Sequence, residues 1–172
     1  MAQAFARVSL DTAAAQSYAQ ALLKAPQIVQ EELSAALTEA MLLIERETKD
    51  RAPVGVTQAL RGSIASELRG STPTELEGVV FSPMPYAAAV ELGTRPHYPP
   101  LEPLMDWVAA KLGVGGDEIE AVARAVQRKI GTQGTKPKRA FTGALEDNER
   151  QLNSILGAAI ARINQRLAGL SS

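Results

Sequence analysis

Cysteine is absent from the 172 residues. That excludes disulfides, thiolate nucleophiles and every zinc site that needs sulfur, while leaving the redox compartment open. Histidine occurs once, at His97, so neither a multi-histidine metal site nor a His–His catalytic pair can form within one subunit. Aromatic residues are scarce at 4%. Neither sign of charge dominates: Lys+Arg is 18 against Asp+Glu 19. No bulk field therefore draws the chain to nucleic acid or acidic lipid, and any such contact has to come from a local patch. Long apolar runs are missing too. The best, Leu33 to Ile44, is interrupted by Ser34, Thr38 and Glu39 and falls short of the roughly 18 residues of a membrane span. Met1 to Gln16 contain one basic residue, Arg7, and no apolar core of a secretory signal, so the chain is expected in the cytosol where it is made, without membrane contact.

What remains is ordinary globular composition, 45% hydrophobic and 22% charged, in 18.2 kDa. Length and composition predict one domain over 1–172, with 1–26 as an N-terminal arm or helix and 27–172 as the body. Val8-Ser-Leu10 alternates as a short strand would, and Asp11 and Thr12 can cap an Ala-rich helix to about Lys24. Pro26 suits the first turn of a second helix over 27–51, in which Val29, Leu33, Leu37, Met41 and Ile44 recur every three or four residues. Pro53 ends it at Ala52. Ser63–Leu68 and Thr74–Ser82, joined by Gly70-Ser-Thr-Pro73, read as an antiparallel hairpin, although the four-residue spacing of Leu60, Ile64 and Leu68 also suits a helix.

Six prolines then punctuate Pro83 to Pro103 around a short helical Tyr86-Ala-Ala-Ala-Val-Glu-Leu92. Such a stretch suits either a rigid exposed loop or a connection packed on its own domain. Leu101–Leu112 form a helix with Leu104, Trp107, Val108 and Leu112 on one face, which predicts a buried Trp107. Gly113–Gly116 break it. Asp117 and Glu120 form a capping-box pattern for a helix to Ile130, ended by Gly131–Pro137. Thr142 is the expected cap of a last helix over 142–168. The fold class is α+β: a small antiparallel sheet packed with several helices. Two loops, Gly93-Thr-Arg-Pro96 and Gly134-Thr-Lys-Pro137, look alike.

No motif offers chemistry. Gly113-Val-Gly-Gly116 follows a helix rather than a strand, and Gly131-Thr-Gln-Gly-Thr-Lys136 lacks the Gly-Lys-Ser/Thr ending of a phosphate loop. Glu91 with His97 resembles a general-base pair but has no nucleophile beside it. No catalytic residue, metal ligand or cofactor is expected. Arg124, Arg128, Lys129, Lys136, Lys138 and Arg139 form a basic run with no acid between them, able to neutralise phosphates or to complement a helix C-terminus.

The order of segments does carry a resemblance. Lys49-Asp-Arg-Ala-Pro53 is followed by Ala59-Leu-Arg-Gly-Ser-Ile64 and Tyr86-Ala-Ala-Ala-Val-Glu-Leu-Gly-Thr94. Then come Arg95-Pro-His-Tyr-Pro-Pro100, a Trp107-containing helix, Gly134-Thr-Lys-Pro-Lys-Arg-Ala-Phe141 and a long terminal helix. Over roughly residues 28 to 168 this resembles the minor tail or neck proteins of long-tailed bacteriophages and prophages, the head–tail joining or tail completion family. The Pro53-Val-Gly-Val-Thr-Gln58 stretch departs from the family's Thr-Gly pair after Ala-Pro. The resemblance implies a non-enzymatic virion component, made in the host cytoplasm. It would form a six- or twelve-fold homo-oligomeric ring that completes or docks the tail tube between head-closure or adaptor and tail-tube proteins. A closed ring needs two different complementary faces on each subunit. Tyr86, Glu91, Arg95, His97, Tyr98, Lys136, Lys138 and Arg139 are the candidates for them, since interfaces favour aromatics and Arg. Arg124, Arg128 and Lys129 are candidates for non-specific contact with packaged DNA. A nucleic-acid-contacting accessory protein using residues 124–139 is the alternative function.

Overall fold

A computed structural model of the chain describes residues 13–55 and 57–170. The expected Val8–Leu10 strand and Asp11/Thr12 cap lie outside the described residues. Among those described, seven helices and one two-stranded antiparallel sheet follow in the order α1 (Ala13–Arg51), α2 (Ala59–Ser63), β1 (Ala65–Arg69), β2 (Glu77–Phe81), α3 (Ala87–Leu92), α4 (Leu101–Leu112), α5 (Glu118–Gln133), α6 (Ala140–Asp147) and α7 (Glu149–Leu170). The fold is α+β, as the sequence predicts.

The body is built on α1. Its apolar stripe faces α7, which runs antiparallel to it: Glu31 and Glu32 meet Arg162 and Arg166 near one end, and Arg51 meets Asp147, just before α7, near the other. Ala36, Leu43, Ile155 and Ala159 form the core of this pairing, flanked by Leu152 and Leu156. The two alanines carry no bulk, so the helix axes approach closely there. The hairpin lies across α1, with Ala65 opposite Phe81 and Arg69 opposite Glu77. Gly78 makes the close seat possible, because a Cβ there would meet Met41 Cγ at 2.7 Å. The two readings of 60–68 are reconciled in sequence: Leu60 closes one helical turn, and the chain turns extended at Ile64, which is 2% exposed.

Three expected boundaries are corrected. The helix does not stop at Lys24 and restart at Pro26; α1 runs through Pro26. A proline inside a helix removes one hydrogen bond, and packing of the following turns, starting at buried Ile28, offsets that loss. The terminal helix is two helices. Asn148 breaks it, with its side-chain amide donating to the Ala144 carbonyl at 2.8 Å and its own backbone leaving helical geometry. Thr142 sits inside α6 rather than capping it. Finally, α5 continues through Gly131 to Gln133; Asp117 makes no side-chain cap bond, because its own backbone is already helical, at φ −70° and ψ −14°, and the Glu120 side chain pairs with Arg124.

α4 and α5 pack chiefly on each other, forming a helical hairpin set apart from the α1–α7 body. Each has one fully buried residue, Val108 and Ala123. Trp107 is therefore not core: it is 37% exposed. Its periodicity marks the apolar face correctly, but a two-helix layer has nothing to cover that face on its far side. The accessible surface is 11,960 Å², against about 8,100 Å² for a compact monomer of this mass. Even with the fifteen residues outside the described set fully exposed at about 2,300 Å², an excess of roughly 1,600 Å² remains.

Candidate functional site

The two look-alike loops meet. Each follows the C-terminus of a helix, α3 or α5, and each begins with a glycine at positive φ, 73° at Gly93 and 69° at Gly134. With ψ of 178° and −160°, both glycines occupy a backbone region that essentially only glycine enters. A Cβ on Gly93 would run into the Thr135 carbonyl, and one on Gly134 into the Thr94 carbonyl. The glycines thus allow an antiparallel bridge between Thr94 and Thr135. The Thr94 N–H donates to the Thr135 carbonyl at 3.1 Å, the Thr135 N–H to the Thr94 carbonyl at 3.2 Å, and the two hydroxyls lie 3.0 Å apart. The arrangement is close to two-fold symmetric, which explains why the two sequences match.

The same crossing ties α3 to α6. The N–H groups of Lys138 and Arg139 donate to the carbonyls of Val90 and Glu91, satisfying the open end of α3. Arg139 holds a left-handed conformation at the N-terminus of α6 and offers no cap of its own. Glu91 supplies it from α3: its carboxylate accepts from the Phe141 N–H at 3.0 Å, the Thr142 N–H at 2.9 Å and the Thr142 hydroxyl at 2.8 Å. Burial penalises this carboxylate, but the backbone N–H groups of Thr142 and Phe141 and the Thr142 hydroxyl outweigh that penalty and hold its pKa below the ordinary value. The Glu91 carboxylate is therefore committed to a clamp within the chain.

The remaining candidates fall on the outside of this clamp. Tyr86 is 44% and Tyr98 67% exposed. Arg95, His97, Lys136 and Lys138 are also exposed, and His97 Nδ1 lies 3.0 Å from the Arg95 carbonyl, which fixes the ring within its own loop. Tyr98 lies flat on α5 where Gly131 has no side chain; a Cβ there would strike the ring. Gln127 donates to the Pro99 carbonyl at 2.7 Å, so the loop is held at both Tyr98 and Pro99. Glu91 and His97 are not brought together as an acid–base pair: the carboxylate is committed to α6. The basic run divides. Arg124 pairs with Glu120 and Arg139 with Glu146, whereas Arg128, Lys129, Lys136 and Lys138 make no ion pair among the described residues. Among those residues no three metal-ligating side chains come together, and no helix is long and apolar enough to cross a membrane.

Sequence reasoning missed the roles of Gly93, Gly131 and Gly134. Their signal was present in the repeated Gly-Thr-x-Pro, which required reading two distant loops as a pair. Comparison with known protein families, curated proteins and solved structures returned no match to this chain.

Proposed function

We propose that the chain is a structural subunit of a ring at a phage head–tail junction, completing or docking the tail tube between head-closure or adaptor and tail-tube proteins. The observation that carries this reading is the convergence of two of the stretches on which the resemblance rests. The contiguous stretch Tyr86–Pro100 and the distant Gly134–Phe141 form one unit, bridged at Thr94–Thr135 and clamped by Glu91. That unit is rigid in its backbone and presents Tyr86, Arg95, His97, Tyr98, Lys136 and Lys138 outward, which suits repeated contacts around a ring. The surplus surface supports the same reading, since it is about twice the roughly 800 Å² that a standard interface takes from each partner.

Replacing Arg95 and Tyr98 together by alanine tests it. Both are exposed, and the Gln127–Pro99 bond and the Thr94–Thr135 bridge still hold the loop without the Tyr98 ring, so the melting temperature should change little, by the equivalent of about 0.5 kcal/mol per site. Yield of joined, infectious particles should fall sharply, because an interface anchor contributes about 2 kcal/mol or more at each contact. Normal joining at normal stability would place the ring contacts elsewhere.

The second reading, contact with DNA, is favoured by the four cations left unpaired within eleven residues of chain, Arg128, Lys129, Lys136 and Lys138. Affinity for random-sequence DNA falling with salt at a log–log slope of about −3 to −4 is expected if all four meet phosphates. Rings without measurable affinity for DNA remove this reading and leave the first intact.

A further inference from the structure

The central helix outruns its partner. The last described turn of α7, Gly169 and Leu170, lies beside Lys24 and Ile28. Residues 13–23 of α1 therefore lead away from the body for about 16 Å at 1.5 Å per residue. At the base of this projection Leu22 and Leu23 are 57% and 82% exposed. Pro26 has no N–H for the Leu22 carbonyl, so the projecting turns are weakly tied to the rest of the helix. A helical segment this short is marginal in water unless something packs against it.

Farther along α1 a groove of about 250 Å³ opens among Leu37, Met41, Phe141, Leu145, Leu152 and Leu156. Its lining is apolar, and Leu145 on its rim is half exposed. Leu23 cannot fill it within the same copy, because eighteen residues of continuous helix, about 27 Å, separate Leu23 from Met41. The flanking charges are complementary. Lys24, next to the exposed leucines, makes no ion pair among the described residues; Glu149, three residues before Leu152 at the start of α7, makes none either.

We propose that the projecting end of α1 docks into this groove on a second copy of the chain, with Leu22 and Leu23 covering the apolar lining and Lys24 facing Glu149. The contact joins two different patches, so it is heterologous and repeats from copy to copy, closing where the rotation allows. It names one contact of the proposed ring and rests on that reading for closure alone.

The absence of cysteine makes the test direct. Chains carrying Leu23→Cys are mixed with chains carrying Leu145→Cys and oxidised; the expected product is the mixed disulfide, with neither variant linking to itself. Both positions are exposed, so unchanged circular dichroism and melting are expected. In parallel, Lys24→Glu and Glu149→Lys should each lower the solution mass of the assembly, and the mixture of the two should restore it. Self-linking of Leu23→Cys would overturn the proposal by showing that the α1 ends meet each other. Capture of Leu145→Cys by Phe5→Cys, without capture by Leu23→Cys, would overturn it by assigning the groove to residues 1–12. An assembly of unchanged mass with no mixed disulfide removes this contact while the ring stands; a parent chain that is monomeric at all concentrations removes both.

Discussion

The carboxylate of Glu91 joins parts of the chain that lie fifty residues apart, and it does so at a helix start where the local residue is a poor cap. Three donors of α6 converge on it, so it both satisfies open N–H groups and places negative charge at the positive end of the helix. Glu91→Gln keeps the size but removes the charge, and is expected to cost about 1–2 kcal/mol, or about 2–4 °C in melting temperature per kcal/mol for a chain of this length. The pH dependence has a definite sign. A carboxyl whose pKa is lowered by folding contributes fully above its ordinary value near 4.5 and loses that contribution as pH falls through the lowered one. Parent and variant should thus differ at neutral pH and converge in acid; a gap that stays constant into acid would show that Glu91 acts through shape alone. The sequence makes Glu91 visible as a carboxylate near a histidine, and nothing in local spacing reveals that its partners are Phe141 and Thr142. Long-range caps of this kind leave no periodic trace.

At the scale of elements, what propensity and periodicity determine was legible, and what tertiary cover determines was not. The bounds of α4, the end of α1 before Pro53 and the antiparallel pairing of the two strands all follow from local chemistry. The continuation of α1 through Pro26 and of α5 through Gly131 does not, because packing of the flanking turns decides both. Gly134→Ala tests the bridge between the loops. Its backbone region strains any L side chain by about 1–3 kcal/mol, and the new methyl would also displace the Thr94 carbonyl. Loss of stability together with faster amide exchange at Thr94 and Thr135 is expected; unchanged exchange there would mean the loops are held by other contacts. Trp107→Ala probes the α4–α5 layer. With the indole partly exposed, about 1–2 kcal/mol is expected in place of the about 3–5 kcal/mol of a fully buried tryptophan. A core-sized loss in the isolated monomer would mean that more covers Trp107 than α5.

For the whole molecule, near-neutral charge and an excess of surface point the same way. No field drives the chain to a polyanion, whereas an elongated body, a separate α4–α5 layer and a projecting α1 leave apolar and aromatic groups open: Leu22, Leu23, Tyr98, Trp107 and Leu145 among them. Composition alone conveys none of this, because the same 45% hydrophobic content would serve a compact sphere equally well. Two of the stretches that carry the resemblance to phage neck proteins form one clamped unit, and the proposed ring subunit would use both that unit and the uncovered surface. The most direct measurement is the native mass of the purified chain, with negative-stain images of the same sample. A single species whose mass is an integral multiple of 18.2 kDa, imaged as closed rings with a central opening, is the predicted result. A monomer at every concentration, with compact particles and no ring, would contradict it.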